Sequence, residues 1–161
     1  MYIFDGAMGT MLQAAGLEEG YCPELFNIEK PDVVKNIHMQ YLQHGSDIIT
    51  TNTFGACGLK LEDYELQDRV KEINIAAVKV AKEAIAECKP NARVAGSMGP
   101  TGRFLQPLGN MSFDSIYDTY REQAEALIEG GADFIIIETI IDIQEMRAAL
   151  LASLDAREAM G

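Results

Sequence analysis

The sequence predicts an α/β fold of four successive strand–helix (βα) units, and it favours half of a (β/α)8 barrel over an open doubly wound sheet. Short apolar runs alternate with longer amphipathic segments along the whole chain of 161 residues. Parallel strands joined by right-handed helical crossovers are the usual result of such alternation. An internal repeat with a period of two units favours the barrel.

Four apolar runs are predicted to be strands. They cover residues 2–5, 47–51, 93–97 and 133–137. The fourth run is apolar without alternation, which is typical of a parallel strand covered on both faces. We therefore expect a parallel sheet with helices packed against it.

Four amphipathic helices are predicted between and after these strands. Each has an apolar stripe at helical spacing and is bounded by residues that commonly begin or end helices. They run from Pro31 to Gly45, from Val70 to just before Pro90, from the cap Ser112 to Gly130, and onward from the cap Asp142. Glu145 follows Asp142 at the spacing of a capping box.

The internal repeat relates the second strand to the fourth. Residues 45–53 (GSDIITTNT) align with residues 131–139 (GADFIIIET), and the offset from Gly45 to Gly131 is 86 residues, or two βα units. Residues 5–10 and 97–102 match more loosely, with Asp5 opposite Ser97. A barrel built in layers from alternate strands accounts for this period, whereas an open sheet gives no reason for it.

Composition excludes some classes of partner. The chain has 13 basic and 25 acidic residues and a net charge of −12, which argues against a nucleic-acid partner because affinity for phosphates comes from clustered Lys and Arg. No stretch approaches the roughly 18–20 apolar residues of a membrane span, and the N-terminus lacks a secretion signal. We expect no membrane partner and a cytoplasmic location.

The cysteines do not predict a metal centre. Cys22, Cys57 and Cys88 stand far apart and form no CxxC pair, so neither a disulfide framework nor a zinc ribbon is supported. Reduced thiols are the simplest interpretation.

Polar residues follow every predicted strand. They are Asp5, Asn52 with Thr53, Ser97 and Glu138. Both candidate architectures bind ligands at the carboxyl ends of the strands, so these side chains are expected to share one rim. Asp5 and Glu138 could hold a ligand ammonium group or act as an acid–base pair, and Glu138 could instead be a solvated strand end.

The segment that follows the first strand, residues 5–10 (DGAMGT), is the richest in glycine. Two glycines allow a sharp turn whose backbone N–H groups can bind a small carboxylate. A triphosphate is disfavoured, because the lysine of a phosphate-binding loop is absent. A purely structural turn remains an equal alternative.

These segments together resemble a known family. Residues 5–10, 47–56 (DIITTNTFGA), 99–102 (GPTG) and 133–139 (DFIIIET) are similar, in order and spacing, to the homocysteine-binding domain of homocysteine S-methyltransferases. The cobalamin-dependent methionine synthase branch is the most similar. The betaine- and S-methylmethionine-dependent enzymes belong to the same wider family.

The resemblance implies that residues 1–161 are the N-terminal half of a homocysteine-binding barrel domain. It implies that the homocysteine carboxylate meets the backbone of Gly6, Ala7 and Met8, and that its ammonium lies near Asp5 and Glu138. Asn52, Thr53 and Ser97, from the same predicted rim, complete the candidate substrate-binding residues.

The resemblance also implies cofactors outside this chain. The family binds zinc through three cysteines, one after the sixth strand and two after the eighth, and none of the cysteines here corresponds to them. Cobalamin and methyltetrahydrofolate would bind in other modules. The implied activity is of the 5-methyltetrahydrofolate–homocysteine methyltransferase type, with no catalytic residue in this half.

Two alternatives remain open. A different barrel enzyme, such as a lyase or aldolase, would need a lysine at a strand end, and none is present. A half-barrel without activity would expose two unpaired strand edges. We therefore expect the 161-residue chain to be inactive alone and to self-associate, exchange elements or rearrange its sheet.

Overall fold

The structure, a computed structural model, describes residues 1–161. Its strands are β1 (Ile48–Thr50), β2 (Arg93–Met98) and β3 (Phe134–Ile137). Its helices are α1 (Gly9–Ala14), α2 (Phe26–Glu29), α3 (Pro31–Gln43), α4 (Gly58–Leu61), α5 (Val70–Cys88), α6 (Phe113–Gly130) and α7 (Ile143–Met160), and three single 3-10 turns separate the shorter ones. None of the helices has the length and apolar content that crossing a membrane requires.

The three strands form one parallel sheet in the order β1-β2-β3. These strands confirm three of the four sequence predictions. The fourth prediction, a strand over residues 2–5, is only partly met, because the segment forms a single parallel bridge between Phe4 and Ile48. It does lie along β1, since the Asp5 N–H donates to the Ile48 carbonyl at 3.0 Å.

The four long helices agree with the predicted ones, and their starts have local causes. The Ser112 hydroxyl accepts a hydrogen bond from the Ser115 N–H at 3.1 Å, and the Asp142 carboxylate accepts one from the Gln144 N–H at 2.7 Å. The predicted capping box is wrong in one respect: Glu145 is buried and accepts hydrogen bonds from Thr101 instead. The loop that follows β2 thus takes the carboxylate that the local pattern assigns to the helix start.

The internal repeat has a structural cause at the start of each related strand. Asp47 accepts a hydrogen bond from the Ile3 N–H at 3.0 Å, and Asp133 accepts one from the Val94 N–H at 2.7 Å. Each aspartate therefore ties its own strand to the preceding one. The glycines two positions earlier, Gly45 and Gly131, have φ of 107° and 89°, a conformation that favours glycine.

The structure corrects the register of the looser half of the repeat. Phe4 pairs with Ile48, and Ala95 pairs with Phe134, so the equivalent positions are 91 residues apart. The alignment of Asp5 with Ser97 is one residue out of register. The glycine-rich turns after these strands carry no side-chain alternation that would fix the register, and a shift of one residue exchanges the two faces of a strand.

The main core lies between the sheet and helices α5, α6 and α7. It includes Val94 and Met98 from β2, Leu127 from α6 and Ala149 from α7. Gly96 permits this close packing, because a Cβ there would lie 2.9 Å from the Leu127 side chain. Buried alanines on α7 likewise bring that helix close to its neighbours.

Candidate functional site

A cleft of about 210 Å³ opens at the carboxyl ends of the strands. Six of the eight predicted site residues line it: Gly6, Ala7, Met8, Asn52, Ser97 and Glu138. The other two, Asp5 and Thr53, are not part of its surface. The structure therefore brings Asn52, Ser97 and Glu138 of the predicted rim together with the glycine turn, but it leaves Asp5 and Thr53 outside the cleft surface.

Asp5 ties the N-terminal segment to the end of β1. Its Oδ2 accepts a hydrogen bond from the Thr50 N–H at 2.8 Å, and its Oδ1 accepts one from the Thr50 hydroxyl at 3.0 Å. Burial raises the pKa of Asp5 to about 6; the hydrogen bonds from Thr50 oppose this rise, and the negative charge of Glu138 adds to it. Asp5 follows the bridge between Phe4 and Ile48, and Glu138 follows β3, so both carboxylates lie at the carboxyl end of the parallel sheet.

Glu138 is held by the neighbouring strand. The Ser97 hydroxyl donates to Glu138 Oε1 at 2.6 Å, and the Glu138 N–H donates to the Met98 carbonyl at 3.0 Å. The next residue, Thr139, has φ of 63°, which is strained for a β-branched side chain. Strained backbone of this kind is common at functional sites, and here it turns the chain away immediately after the carboxylate.

The turn of Gly6, Ala7 and Met8 presents unused backbone donors. The N–H groups of these three residues donate no hydrogen bond within the chain. Tyr41 supports the turn from α3, because its hydroxyl donates to the Ala7 carbonyl at 2.8 Å. A Cβ on Gly6 would lie 3.0 Å from the Tyr41 hydroxyl oxygen, so glycine permits the close approach. This combination suits a small anion such as a carboxylate.

Asn52 lines the cleft, and Thr53 follows it as a buried residue. The Asn52 side-chain amide donates to the Pro23 carbonyl at 2.8 Å, and Asn27 donates to the Asn52 carbonyl at 2.8 Å. Thr53 is fully buried, and its hydroxyl donates to the Ser97 carbonyl at 2.7 Å. Thr53 therefore supports the β2 end from behind instead of facing the cleft.

Sequence reasoning missed several buried polar residues that hold the rim loops. Gln123 on α6 donates to the Thr53 carbonyl at 2.9 Å. Glu24 accepts a hydrogen bond from the Gly55 N–H at 2.8 Å. Glu145 accepts hydrogen bonds from Thr101 and, at 3.0 Å, from the Tyr120 hydroxyl. For Gln123 a signal was available, since it is a polar residue beside the apolar stripe of its helix.

The residues of this chain do not suit a zinc ion. No group of three or more His, Cys, Asp or Glu side chains is arranged to hold a metal. Burial raises the pKa of Cys57 to about 11 and that of Cys22 to about 12, so both are neutral thiols near pH 7. Zinc binds the thiolate form.

Comparisons with known proteins identify the family of this chain. Residues 2–160 match the homocysteine S-methyltransferase family. Methionine synthases of Mycobacterium tuberculosis and Mycobacterium leprae are 40% and 38% identical to this chain over 159 residues. The matched regions cover 92% of this chain but only 13% of each relative. These matches confirm the resemblance seen in the sequence motifs. Each of the two relatives is several times longer than this chain.

A solved structure gives the same result for the fold. The metallated form of the homocysteine methyltransferase MmuM from Escherichia coli superposes with a TM-score of 0.81 at 27% identity; the match covers 98% of this chain and 60% of MmuM. The oxidized form gives the same TM-score at 26% identity. The α/β fold with its parallel sheet thus matches part of the MmuM fold, and the chain belongs to the homocysteine S-methyltransferase family.

Proposed function

We propose that this chain is the homocysteine-binding part of a homocysteine S-methyltransferase of the methionine synthase type, and that its four βα units form the first half of a (β/α)8 barrel. One observation carries the proposal: the free N–H groups of Gly6, Ala7 and Met8 and the carboxylate of Glu138 line one cleft. An α-amino acid has the complementary pair of charges. The cleft of about 210 Å³ suits a small amino acid.

In the proposed complex, the homocysteine carboxylate accepts hydrogen bonds from the three turn N–H groups. The ammonium group binds Glu138, whose Oε1 is fixed by Ser97 and whose other oxygen faces no donor from the chain. Asp5 lies behind the turn and adds negative charge on the ammonium side of the cleft. These contacts orient the amino acid and leave its thiol side chain for chemistry elsewhere.

Methyl transfer to homocysteine gives methionine, and in this family zinc, when bound, favours the thiolate form of the substrate. The cysteines of this chain do not suit zinc, so its ligands would lie in the other half of the domain. We assign no catalytic residue to this chain and expect it to be inactive alone.

Cobalamin and methyltetrahydrofolate would bind in further modules. Higher identity to methionine synthases than to MmuM favours this donor system over betaine or S-methylmethionine.

Calorimetric titration of homocysteine into the chain tests the binding proposal. We expect homocysteine to bind, and 3-mercaptopropylamine, which lacks the carboxylate, to bind at least tenfold more weakly. Equal affinity for the two compounds, or no detectable binding of homocysteine, would contradict the proposed role of the turn.

A further inference from the structure

Phe54 lines the cleft but has no role in the proposed binding of the carboxylate and ammonium groups. It follows β1, which lies between residues 2–5 and β2, so both neighbours of this strand belong to the chain. Three apolar residues line the cleft: Ala7, Met8 and Phe54. Ala7 and Met8 belong to the turn that binds the carboxylate in the proposed complex. Phe54 is therefore the large apolar side chain that this chain presents to the cleft outside the turn.

The peptide group that joins Phe54 to Gly55 is fixed through both of its polar atoms. The Phe54 carbonyl accepts a hydrogen bond from the Gly99 N–H at 3.0 Å, and the Gly55 N–H donates to Glu24 Oε1 at 2.8 Å. Gly99 is held in turn, because its carbonyl oxygen lies 2.9 Å from the hydroxyl of the buried Tyr120. The loop after β2 and a buried carboxylate thus preorganise the backbone at Phe54.

The Phe54 ring packs on Gly99. A Cβ at position 99 would lie 2.7 Å from two carbons of the ring, Cδ2 and Cε2, which is closer than a side chain can approach. Glycine at this position therefore leaves the space that the ring occupies. Because Gly99 comes two residues after Ser97, which also lines the cleft, the ring is held against the end of β2, beside the cleft.

The hydroxyl groups that line the cleft already donate hydrogen bonds within the chain. The Thr50 and Ser97 hydroxyls each donate to a carboxylate. The Thr51 hydroxyl donates to the Thr53 hydroxyl, whose own proton goes to the Ser97 carbonyl. A hydroxyl on the side chain of a bound amino acid would therefore lose water and gain no hydroxyl proton in return, which is unfavourable. A thiol, which is a weaker donor and acceptor, loses less.

We propose that Phe54 is a specificity-determining residue, whose ring packs against the unbranched, weakly polar side chain of the bound amino acid and selects a thiol over a hydroxyl. The inference rests on the proposed function, in which the turn and Glu138 bind the two charged groups and leave the side chain to contact the ring. A sulfur atom beside an aromatic ring makes a favourable contact, whereas a hydroxyl in the same place would lose its hydration without a new partner.

Calorimetric titration with L-homocysteine and with L-homoserine, which differ only in sulfur against oxygen, tests the proposal. EDTA in the buffer ensures that no metal ion holds the thiol. We expect the wild type to bind homocysteine about tenfold more tightly than homoserine, and Phe54→Ala to reduce this ratio to about twofold. Phe54→Leu, which keeps an apolar side chain, should give an intermediate ratio. The control Phe104→Ala changes an exposed phenylalanine that does not line the cleft, and it should keep the wild-type ratio.

A second measurement detects the contact itself. Nuclear Overhauser effects between the methylene protons of bound homocysteine and phenylalanine ring protons should be present in the wild type and in Phe104→Ala and absent in Phe54→Leu. An unchanged ratio of affinities in Phe54→Ala, or no such effect in the wild type, would overturn this inference while homocysteine binding leaves the proposed function in place. A wild type that does not bind homocysteine would contradict the proposed function and this inference with it.

Discussion

The Ser97 hydroxyl donates a hydrogen bond to Glu138 Oε1 at 2.6 Å, so the end of β2 positions the carboxylate that follows β3. These residues are 41 positions apart in the chain. Their contact converts two neighbouring strand ends into one polar wall of the cleft, opposite the glycine turn. The first predictions concern this wall and that turn.

Glu138→Gln should weaken homocysteine binding by roughly 10- to 100-fold, because a hydrogen bond to a charged group contributes about 1.5–3 kcal/mol. Gln can still accept the hydrogen bond from Ser97, so the free energy of unfolding should change little. Titration calorimetry together with urea unfolding measures both effects. Unchanged affinity would remove Glu138 from the binding site.

Tyr41→Phe removes the hydrogen bond to the Ala7 carbonyl and keeps the ring beside Gly6. We expect a loss of about 1 kcal/mol in the free energy of unfolding and faster amide hydrogen exchange of Leu12, whose N–H donates to the Met8 carbonyl at 3.0 Å. Homocysteine binding should weaken as the turn loses its order. The control is Tyr64→Phe, which alters a tyrosine remote from the cleft. If Leu12 exchanges at the same rate in both variants, Tyr41 does not order the turn.

Asp5 should make the protein less stable as the pH rises from about 4 to above 6. Its pKa is about 6 in the folded chain against an ordinary value of 3.8, so the folded state binds more protons than the unfolded state between these values. The stabilisation is complete below pH 3.8 and is lost as the pH rises through 6. Asp5→Asn should lack this component, since an amide does not titrate. Urea unfolding at several pH values measures the free energy of unfolding of the wild type and of the variant. The wild-type value minus the value for Asp5→Asn should fall steadily from pH 4 to pH 7.

His38 should have the opposite effect in acid. It is fully buried on α3, neither ring nitrogen has a partner, and burial lowers its pKa to about 4 from 6.5. The unfolded chain therefore takes up a proton below pH 6.5 that the folded chain resists, and stability falls as the pH drops from 6.5 to 4, by as much as about 3 kcal/mol.

His38→Leu removes this titration and fills a similar volume. We expect the variant to unfold at nearly the wild-type urea concentration at pH 7 and to be clearly more stable than wild type at pH 4.5. If the difference in stability between His38→Leu and the wild type is the same at every pH, His38 does not stay neutral in the folded state.

Local patterns in the sequence were sufficient for the long helices and the three strands. The cap residues Ser112 and Asp142 act on backbone groups two or three positions away, and apolar periodicity reports the buried face of a helix directly. The glycine turn and the rim residues could also be predicted, because parallel strands bring their carboxyl ends to one edge.

Only the tertiary structure decided which side chains meet. Tyr41 reaches Ala7 from 34 positions away, Gln123 reaches Thr53 from 70, and Glu145 bonds Thr101 instead of its own helix start. Each choice depends on how helices and loops pack against the sheet, which the chemistry of neighbouring residues does not specify.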